Sequence, residues 1–316
     1  MKNFMKNCED KFLEACEKIS AQDQKILVAC SGGSDSLALV ELFLAAGFKI
    51  GIAHFDHQIR GEESKADSVF VENYAREKKL PFHLGTANVI DEAKKNSRSH
   101  RSIETTAREL RYKFFFETAE KFSYDLISTA HHRDDQAETV LMNLIRGTGF
   151  EGLSGIQPRA GILIRPLLAF SKAELEKYCA EKNLQPRHDS TNDLPNTTRN
   201  KIRLEILPAL QKINPAVVTS LNRFALISTD DHNFIRTTAE KIFEHGLHRK
   251  KFIEQHVSIQ RELLRLFFES LQLKNISFDQ TEAVRNLFII GRGRSSIDIP
   301  GGRVSVEHGT LNFYRR

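Results

Sequence analysis

The sequence predicts an α/β protein: a parallel sheet with helices on its faces, followed by a smaller, mainly helical domain. Three features predict it. Short apolar runs alternate with helically spaced segments from Lys25 to Arg146, the pattern of consecutive βαβ units. The first run, residues 26–30, is apolar throughout, as a strand covered on both faces requires, and it ends in the small residues Ser31, Gly32, Gly33 and Ser34. Beyond Pro215 apolar residues recur at helical spacing to about Phe288.

Residues 1–22 carry Phe4, Met5, Cys8, Phe12, Leu13, Cys16 and Ile19 at helical spacing and form an amphipathic leading helix. Strand one (26–30) passes through the glycine loop into an apolar helix. Residues 48–55 (FKIGIAHF) form strand two. A polar break, 57–63, precedes a helix to about Lys79, and 81–86 form strand three. Residues 102–122 are helical, with Ser102 or Thr105 as candidate caps. Residues 124–130 are strand four, and a helix follows over about 134–146. Residues 147–170 are glycine-rich and irregular, Ser171 with Glu174 makes a capping box, and 185–200 are a polar loop. A helix begins over 201–211, and Pro215 marks the boundary between a domain of residues 1–212 and one of 213–316. Short strands at 296–299, 303–306 and 310–314 follow the helical region, separated by glycine-containing turns.

In an open parallel sheet, ligands sit beyond the carboxyl ends of the strands. The loops after strands one, two and four should therefore line one crevice: SGGSDS (31–36), His54-Phe55-Asp56-His57 with Arg60, and His131-His132-Arg133-Asp134-Asp135. A glycine loop at a helix start suits phosphate, because the backbone approaches closely and unpaired N–H groups point outward. Ser31, Ser34 and Ser36 add hydroxyls. Asp35 would repel a polyphosphate unless a divalent cation stood between them. The loop also lacks the Gly-Lys-Ser/Thr ending that steadies a γ-phosphate, so a bound nucleotide would react at its α-phosphate. An ordinary βα turn with Asp35 favoured by the helix dipole is the plainer alternative.

Asp135 and Glu138 lie three apart on one helix face, with His132 at the strand end. Such a cluster suits metal binding or proton abstraction from an amine, and also a well-capped surface helix. Arg108 and Arg111 could hold phosphate oxygens. Glu104 could instead pair with Arg108 within the helix.

With 40% hydrophobic and 28% charged residues, the composition is that of a soluble globular protein. No apolar run reaches the roughly 18 residues of a membrane span, and the N-terminal stretch has no apolar signal core, so a cytoplasmic location and no membrane partner are expected. Cys8, Cys16, Cys30 and Cys179 contain no Cys-x-x-Cys pair, against a zinc ribbon, an iron–sulfur cluster or a dithiol centre. A net charge of +5 is compatible with a polyanionic partner.

The string SGGSDS after a buried strand resembles the PP-loop of the ATP pyrophosphatase superfamily, which implies an adenine-nucleotide alpha-hydrolase-like fold. With HFDHQIRGEES (54–64), ETTARELRY (104–112), the stretch TAHHRDDQAETVLMNLIRGTGFEGLSGI (129–156), RPLL (165–168), DSTND and TRNKIRLEILPAL, the order and spacing resemble the tRNA(Ile)-lysidine synthetases through about residue 212. GRSSIDIPGGRVSVEHGTLNFY resembles a further family segment more loosely. Thr191 stands where the family usually has serine, and Thr197 where it usually has an aromatic. The chain resembles a short form without the second C-terminal domain of longer members.

The resemblance implies ATP and Mg²⁺ as cofactors, with tRNA(Ile) bearing a CAU anticodon and L-lysine as substrates. It implies that ATP adenylates the wobble cytidine and that lysine then displaces AMP. It makes Asp35 and Asp135 metal ligands, and Ser31, Gly32, Gly33, Ser34, Asp35 and Ser36 the pyrophosphate cradle. Ala53 and Phe55 would contact adenine, Arg111 and His132 would hold the adenylate, and Asp135 would act on the metal or the attacking amine. Glu138 and Arg203 would bind substrate lysine. Arg187, Arg199, Lys201 and Arg203 could track an RNA backbone, as could Arg223, Arg236, Lys241, Arg249, Lys250 and Lys251. A homodimer is a candidate assembly. The competing expectations are a PP-loop tRNA thiolation enzyme and a non-catalytic RNA-binding protein on the same scaffold.

Overall fold

Leading helix α1 (Lys2–Lys18) buries Cys8, Phe12 and Cys16 and leads into strand β1 (Lys25–Ala29), in which Ile26, Leu27 and Val28 are fully buried. The structure, a computed structural model, describes residues 2–59, 61–95, 103–187, 197–244, 247–291 and 295–315. Ser102, Arg60 and the DSTND segment lie outside the described residues.

From β1 the chain alternates as expected: α2 (Ser34–Ala45), β2 (Lys49–Asp56), α3 (Glu62–Glu77), β3 (Phe82–Thr86), α4 (Val89–Lys95), α5 (Ile103–Lys121), β4 (Leu126–Ser128) and α6 (Arg133–Ile145). Short helix α7 (Phe150–Leu153) follows. The segment expected to be irregular then supplies two more strands, β5 (Arg159–Ala160) and β6 (Leu163–Ile164), and a 3₁₀ turn, Pro166–Ala169. Each strand is two residues long, too short for any periodicity to declare it.

The sheet has the order β3-β2-β1-β4-β6-β5, parallel except for β5 against β6. β1 lies between β2 and β4, so the strand order reverses at β1, and the crevice of a doubly wound sheet opens where it does. One glycine permits the packing beneath: a Cβ on Gly51 would lie 1.8 Å from the Tyr124 hydroxyl. Helix α8 (Lys172–Glu181) starts at the expected capping box, with Ser171 Oγ accepting the Glu174 N–H and Glu174 accepting the Ser171 N–H. It buries Leu175, Tyr178 and Cys179 in the same core as α2.

Past the polar loop come α9 (Thr198–Lys201), a π-helical turn (Ile202–Ile206) and α10 (Leu207–Ile213). Thr197 caps α9 by accepting the Asn200 N–H. Then follow α11 (Val217–Phe243), α12 (Arg249–Ile253), α13 (Val257–Ser270), α14 (Phe278–Ile290) and an antiparallel meander of β7 (Ser295–Ile299), β8 (Gly302–Glu307) and β9 (Thr310–Arg315). No helix among the described residues is long and apolar enough to cross a membrane.

The chain divides into two compact units, residues 1–148 with 155–225, and residues 149–154 with 226–316. The division falls inside α11 rather than between residues 212 and 213. The reason is packing: Val217, Val218 and Leu221 join Ala137, Leu141, Ile202 and Leu207 in one apolar cluster, so the first turns of α11 belong to the first unit. The second unit has its own core, around Phe252, Leu263, Leu264, Phe288 and Val304.

Candidate active site

The loop after β1 and the loop after β4 emerge side by side, because β1 and β4 are neighbours in the sheet. In the first, Gly32 adopts φ +88°, a region that favours glycine, and a Cβ there would press on the Phe70 ring at 3.2 Å. Ser36 Oγ accepts the Ser31 N–H at 3.2 Å and donates to Gly33 O at 2.9 Å, folding the loop over the start of α2. The Arg187 N–H donates to Gly32 O at 3.0 Å. Asp35, in the first turn of α2, has both carboxylate oxygens 2.8 Å from Lys172 Nζ, which also donates to Ser34 Oγ at 2.9 Å.

His132 is the N-cap residue of α6, and its backbone N–H donates to Asp135 Oδ2 at 3.0 Å. Its buried ring links three carboxylates: Nε2 lies 3.7 Å from Asp35 Oδ2 and 3.4 Å from Asp135 Oδ2, and Nδ1 lies 3.5 Å from Asp134 Oδ2. Burial favours the neutral imidazole, but Asp134, Asp135 and Asp35 outweigh it and raise its pKa above the ordinary value. Asp135 moves the other way. Burial opposes its charge, yet His132 and Arg199 hold its carboxyl below the usual range. Asp134 is likewise held low against burial, by His132 and by the Lys172 backbone N–H that donates to it at 2.9 Å. His131 stays neutral: burial, helped by Arg165, Arg199 and Arg108, pushes it down to about 3.

One turn into α6, Glu138 is 1% exposed and fully engaged. Its Oε1 accepts from Arg203 Nε at 2.5 Å, and its Oε2 accepts from Arg199 Nε and Arg203 Nη2, both at 2.9 Å. Arg203 Nη2 and Arg199 Nη2 also reach Asp135 Oδ1, at 3.1 and 3.4 Å. The two acidic residues expected on one face thus share two guanidiniums from α9 and the π-helical turn. Arg199 also lines a pocket of about 600 Å³ with Arg108, His131, Arg146 and Arg165.

The expected site residues therefore fall into groups. Asp35, His132 and Asp135 are brought together, with Glu138 and Arg203 alongside, and Ser31–Ser36 form the adjoining loop. Arg111 lies beside Arg108 and the Tyr112 ring; burial draws its pKa down and Arg108 adds to this. Ala53 is fully buried with Leu27 and Phe115, and its carbonyl accepts the Cys30 N–H. Phe55 is partly buried against Phe114 and His57. Lys172 was not singled out by the sequence, and Arg199 only as an RNA contact. In the second unit, Arg236 is occupied by Glu240, Glu262 and Glu269, and Arg249 donates to the carbonyls of Ile289 and Gly291, so both hold the fold; Lys241, Lys250 and Lys251 remain exposed.

Among the described residues no cluster of three or more His, Cys, Asp or Glu forms a cage for a metal ion. The donors nonetheless suit Mg²⁺ brought in by a polyphosphate, which takes one or two protein carboxylates and phosphate oxygens. Asp35, a quarter exposed beside the glycine loop, is the carboxylate placed for it. Asp135 has both oxygens engaged, by His132 N–H and by Arg203 and Arg199.

Residues 4–210 match the family described as the PP-loop domain, and residues 247–311 match the TilS substrate binding domain. The tRNA(Ile)-lysidine synthase of Chlorobaculum tepidum is 38% identical over 260 residues, covering 80% of this chain and 72% of that protein. The chain belongs to the tRNA(Ile)-lysidine synthase family. The synthase of Caldanaerobacter subterraneus subsp. tengcongensis is 37% identical over 92% of this chain and 65% of its own length, and that of Bacteroides thetaiotaomicron is 41% identical over 72% and 52%. The chain thus spans under two thirds of the length of these last two. The fold of the family's catalytic unit is shared more widely: the U34-tRNA thiolase NcsA of Methanococcus maripaludis superposes with a TM-score of 0.57 over 72% of this chain and 79% of its own, at 18% identity.

Proposed function

We propose that the chain ligates L-lysine to C2 of the wobble cytidine of tRNA(Ile) with a CAU anticodon. ATP adenylates the C2 carbonyl oxygen, releasing pyrophosphate, and the lysine side-chain amine then displaces AMP to leave lysidine. The observation that carries this is the continuity of the crevice: a phosphate-cradling loop bearing Asp35 is linked through His132 to Asp135, and Asp135 shares Arg199 and Arg203 with Glu138.

The groups divide the reaction between them. The loop N–H groups and serine hydroxyls hold phosphate oxygens at the start of α2. Mg²⁺, when bound, would be held by Asp35 and would neutralise the departing pyrophosphate. His132, whose neighbours favour its protonated form, holds the α-phosphate of the adenylate, with Arg111 as a second donor. A lysine ammonium has a pKa of about 10.4 and must lose a proton to attack. Asp135 orients it and accepts that proton as the C–N bond forms and the bond to AMP breaks. Glu138 receives the α-ammonium and Arg203 the α-carboxylate of substrate lysine, which requires the arginine pairs to open. The arginines of the adjoining pocket hold RNA phosphates. The proposed location is the cytoplasm, where this tRNA is used.

The test is direct. Purified protein with ATP, Mg²⁺, labelled lysine and tRNA(Ile) bearing CAU should incorporate one lysine per AMP released. Sulfur incorporation instead would favour thiolation. Against it, all four cysteines are buried and free, and burial pushes Cys16 up to about 12 and Cys179 up to about 11, far from thiolate chemistry.

A further inference from the structure

Lys172 is the first residue of α8, a position where the helix dipole disfavours a cation. Its ammonium also lies at the start of α2, a second place where backbone N–H groups favour an anion. Its backbone is fixed: Ser171 and Glu174 cap the helix, and its N–H is held by Asp134. Its side chain is held more loosely, with Glu176 Oε1 3.9 Å from the ammonium. It crosses to a residue 137 positions earlier and rests on Asp35 and Ser34, with 39% of its surface and 26% of that of Asp35 still exposed.

We propose that Lys172 is the phosphate-binding lysine that the glycine loop itself lacks, held on Asp35 until nucleotide enters. The inference rests on the nucleotide reading above. Both Asp35 oxygens are 2.8 Å from the ammonium, so a divalent cation and Lys172 compete for the same carboxylate. When a metal-bound polyphosphate takes Asp35, the displaced ammonium is already tethered over the loop, 2.9 Å from Ser34 Oγ, and it turns to the phosphate oxygens. A lysine suits this exchange because its compact charge sits on a flexible stem and needs no fixed fork geometry. Lys172 thus answers two problems at once. It cancels the repulsion between Asp35 and an incoming anion, and it supplies a positive charge to the leaving pyrophosphate.

The test uses calorimetric titration with α,β-methylene ATP on the full chain and on Lys172→Met, Lys172→Gln and Lys172→Arg, with near-UV circular dichroism to establish native folding. At saturating Mg²⁺, Lys172→Met should bind the analogue about tenfold more weakly, as loss of a charged hydrogen bond implies, and Lys172→Arg should recover part of this. The Mg²⁺ concentration giving half-maximal binding should fall roughly threefold in Lys172→Met, because the competitor for Asp35 is gone. A merely structural lysine would shift melting and leave the Mg²⁺ half-point alone. Should folded Lys172→Met and Lys172→Gln keep both the affinity and the half-point of the wild type, the assignment of Lys172 is overturned while the nucleotide reading stands. Should the wild type itself fail to bind the analogue with Mg²⁺, the nucleotide reading falls first.

Discussion

Asp35 and Glu138 are both carboxylates clasped by cations in the same unit, and they are built in opposite ways. Glu138 is buried, meets two arginines through three hydrogen bonds, and stands on the face of α6 that packs against α9 and the π-helical turn. Asp35 is partly exposed and meets one lysine on a flexible stem, with His132 Nε2 3.7 Å away. Charge desolvated and doubly paired behaves as architecture, since removing one partner strands the others. Charge at a wet edge, held mainly by one flexible side chain, is cheap to exchange. The contrast separates a pairing that is costly to open from one that is easily exchanged.

That contrast can be broken at four points. Glu138→Ala should have the largest effect, destabilising the protein by about 3 kcal/mol or more because two guanidiniums are left facing each other; urea denaturation measures it, and a loss below about 1 kcal/mol would show the cluster to be dispensable. Asp35→Asn should barely change stability yet lower AMP formation by on the order of 100-fold, the scale of losing a charge that organises the metal and phosphates; equal turnover in wild type and variant would remove Asp35 from the chemistry. The pH dependence comes next. His132 has a folded pKa above its ordinary value of about 6.5, so its contribution is complete below that pH and fades as pH rises through the folded value. Asp134 and Asp135, held below about 3.9, contribute above that pH and lose it on acidification. The stability gap between wild type and His132→Gln should therefore be widest between about pH 4.5 and 6.5 and narrow by about pH 9, and a gap independent of pH would contradict the triple-carboxylate geometry. Lys172→Met should be the mildest in stability, within about 1 kcal/mol of wild type in the same denaturation experiment.

Much of this was legible in the residues. The alternation of apolar runs and helical segments gave the parallel sheet, and the loops expected to meet at its carboxyl edge do meet, because β1 and β4 are adjacent. Asp135 and Glu138, three apart on a helix, share a face and their partners as that spacing requires. What escaped depends on distance or on brevity. β5 and β6 are too short to carry a pattern. Ala53 reads like any residue near a strand end, and only the pairing with β1 shows that its carbonyl accepts the Cys30 N–H. Lys172 looks in sequence like a surface residue opening a helix; its partner is fixed by the fold, and no local spacing announces a contact across 137 positions.

The π-helical turn over Ile202–Ile206 has a consequence for how α6 is held. In a uniform α-helix, positions four apart drift around the axis by about 40° at each step. Arg199, Arg203 and Leu207 are spaced in this way, and all three meet α6, the arginines at Asp135 and Glu138 and the leucine beside Ala137 and Leu141. One wider turn hands the drift back, so polar clasp and greasy seam stay in a single line. In an unbroken α-helix the same eight positions would carry Leu207 about 80° round from Arg199 and off the face that meets α6.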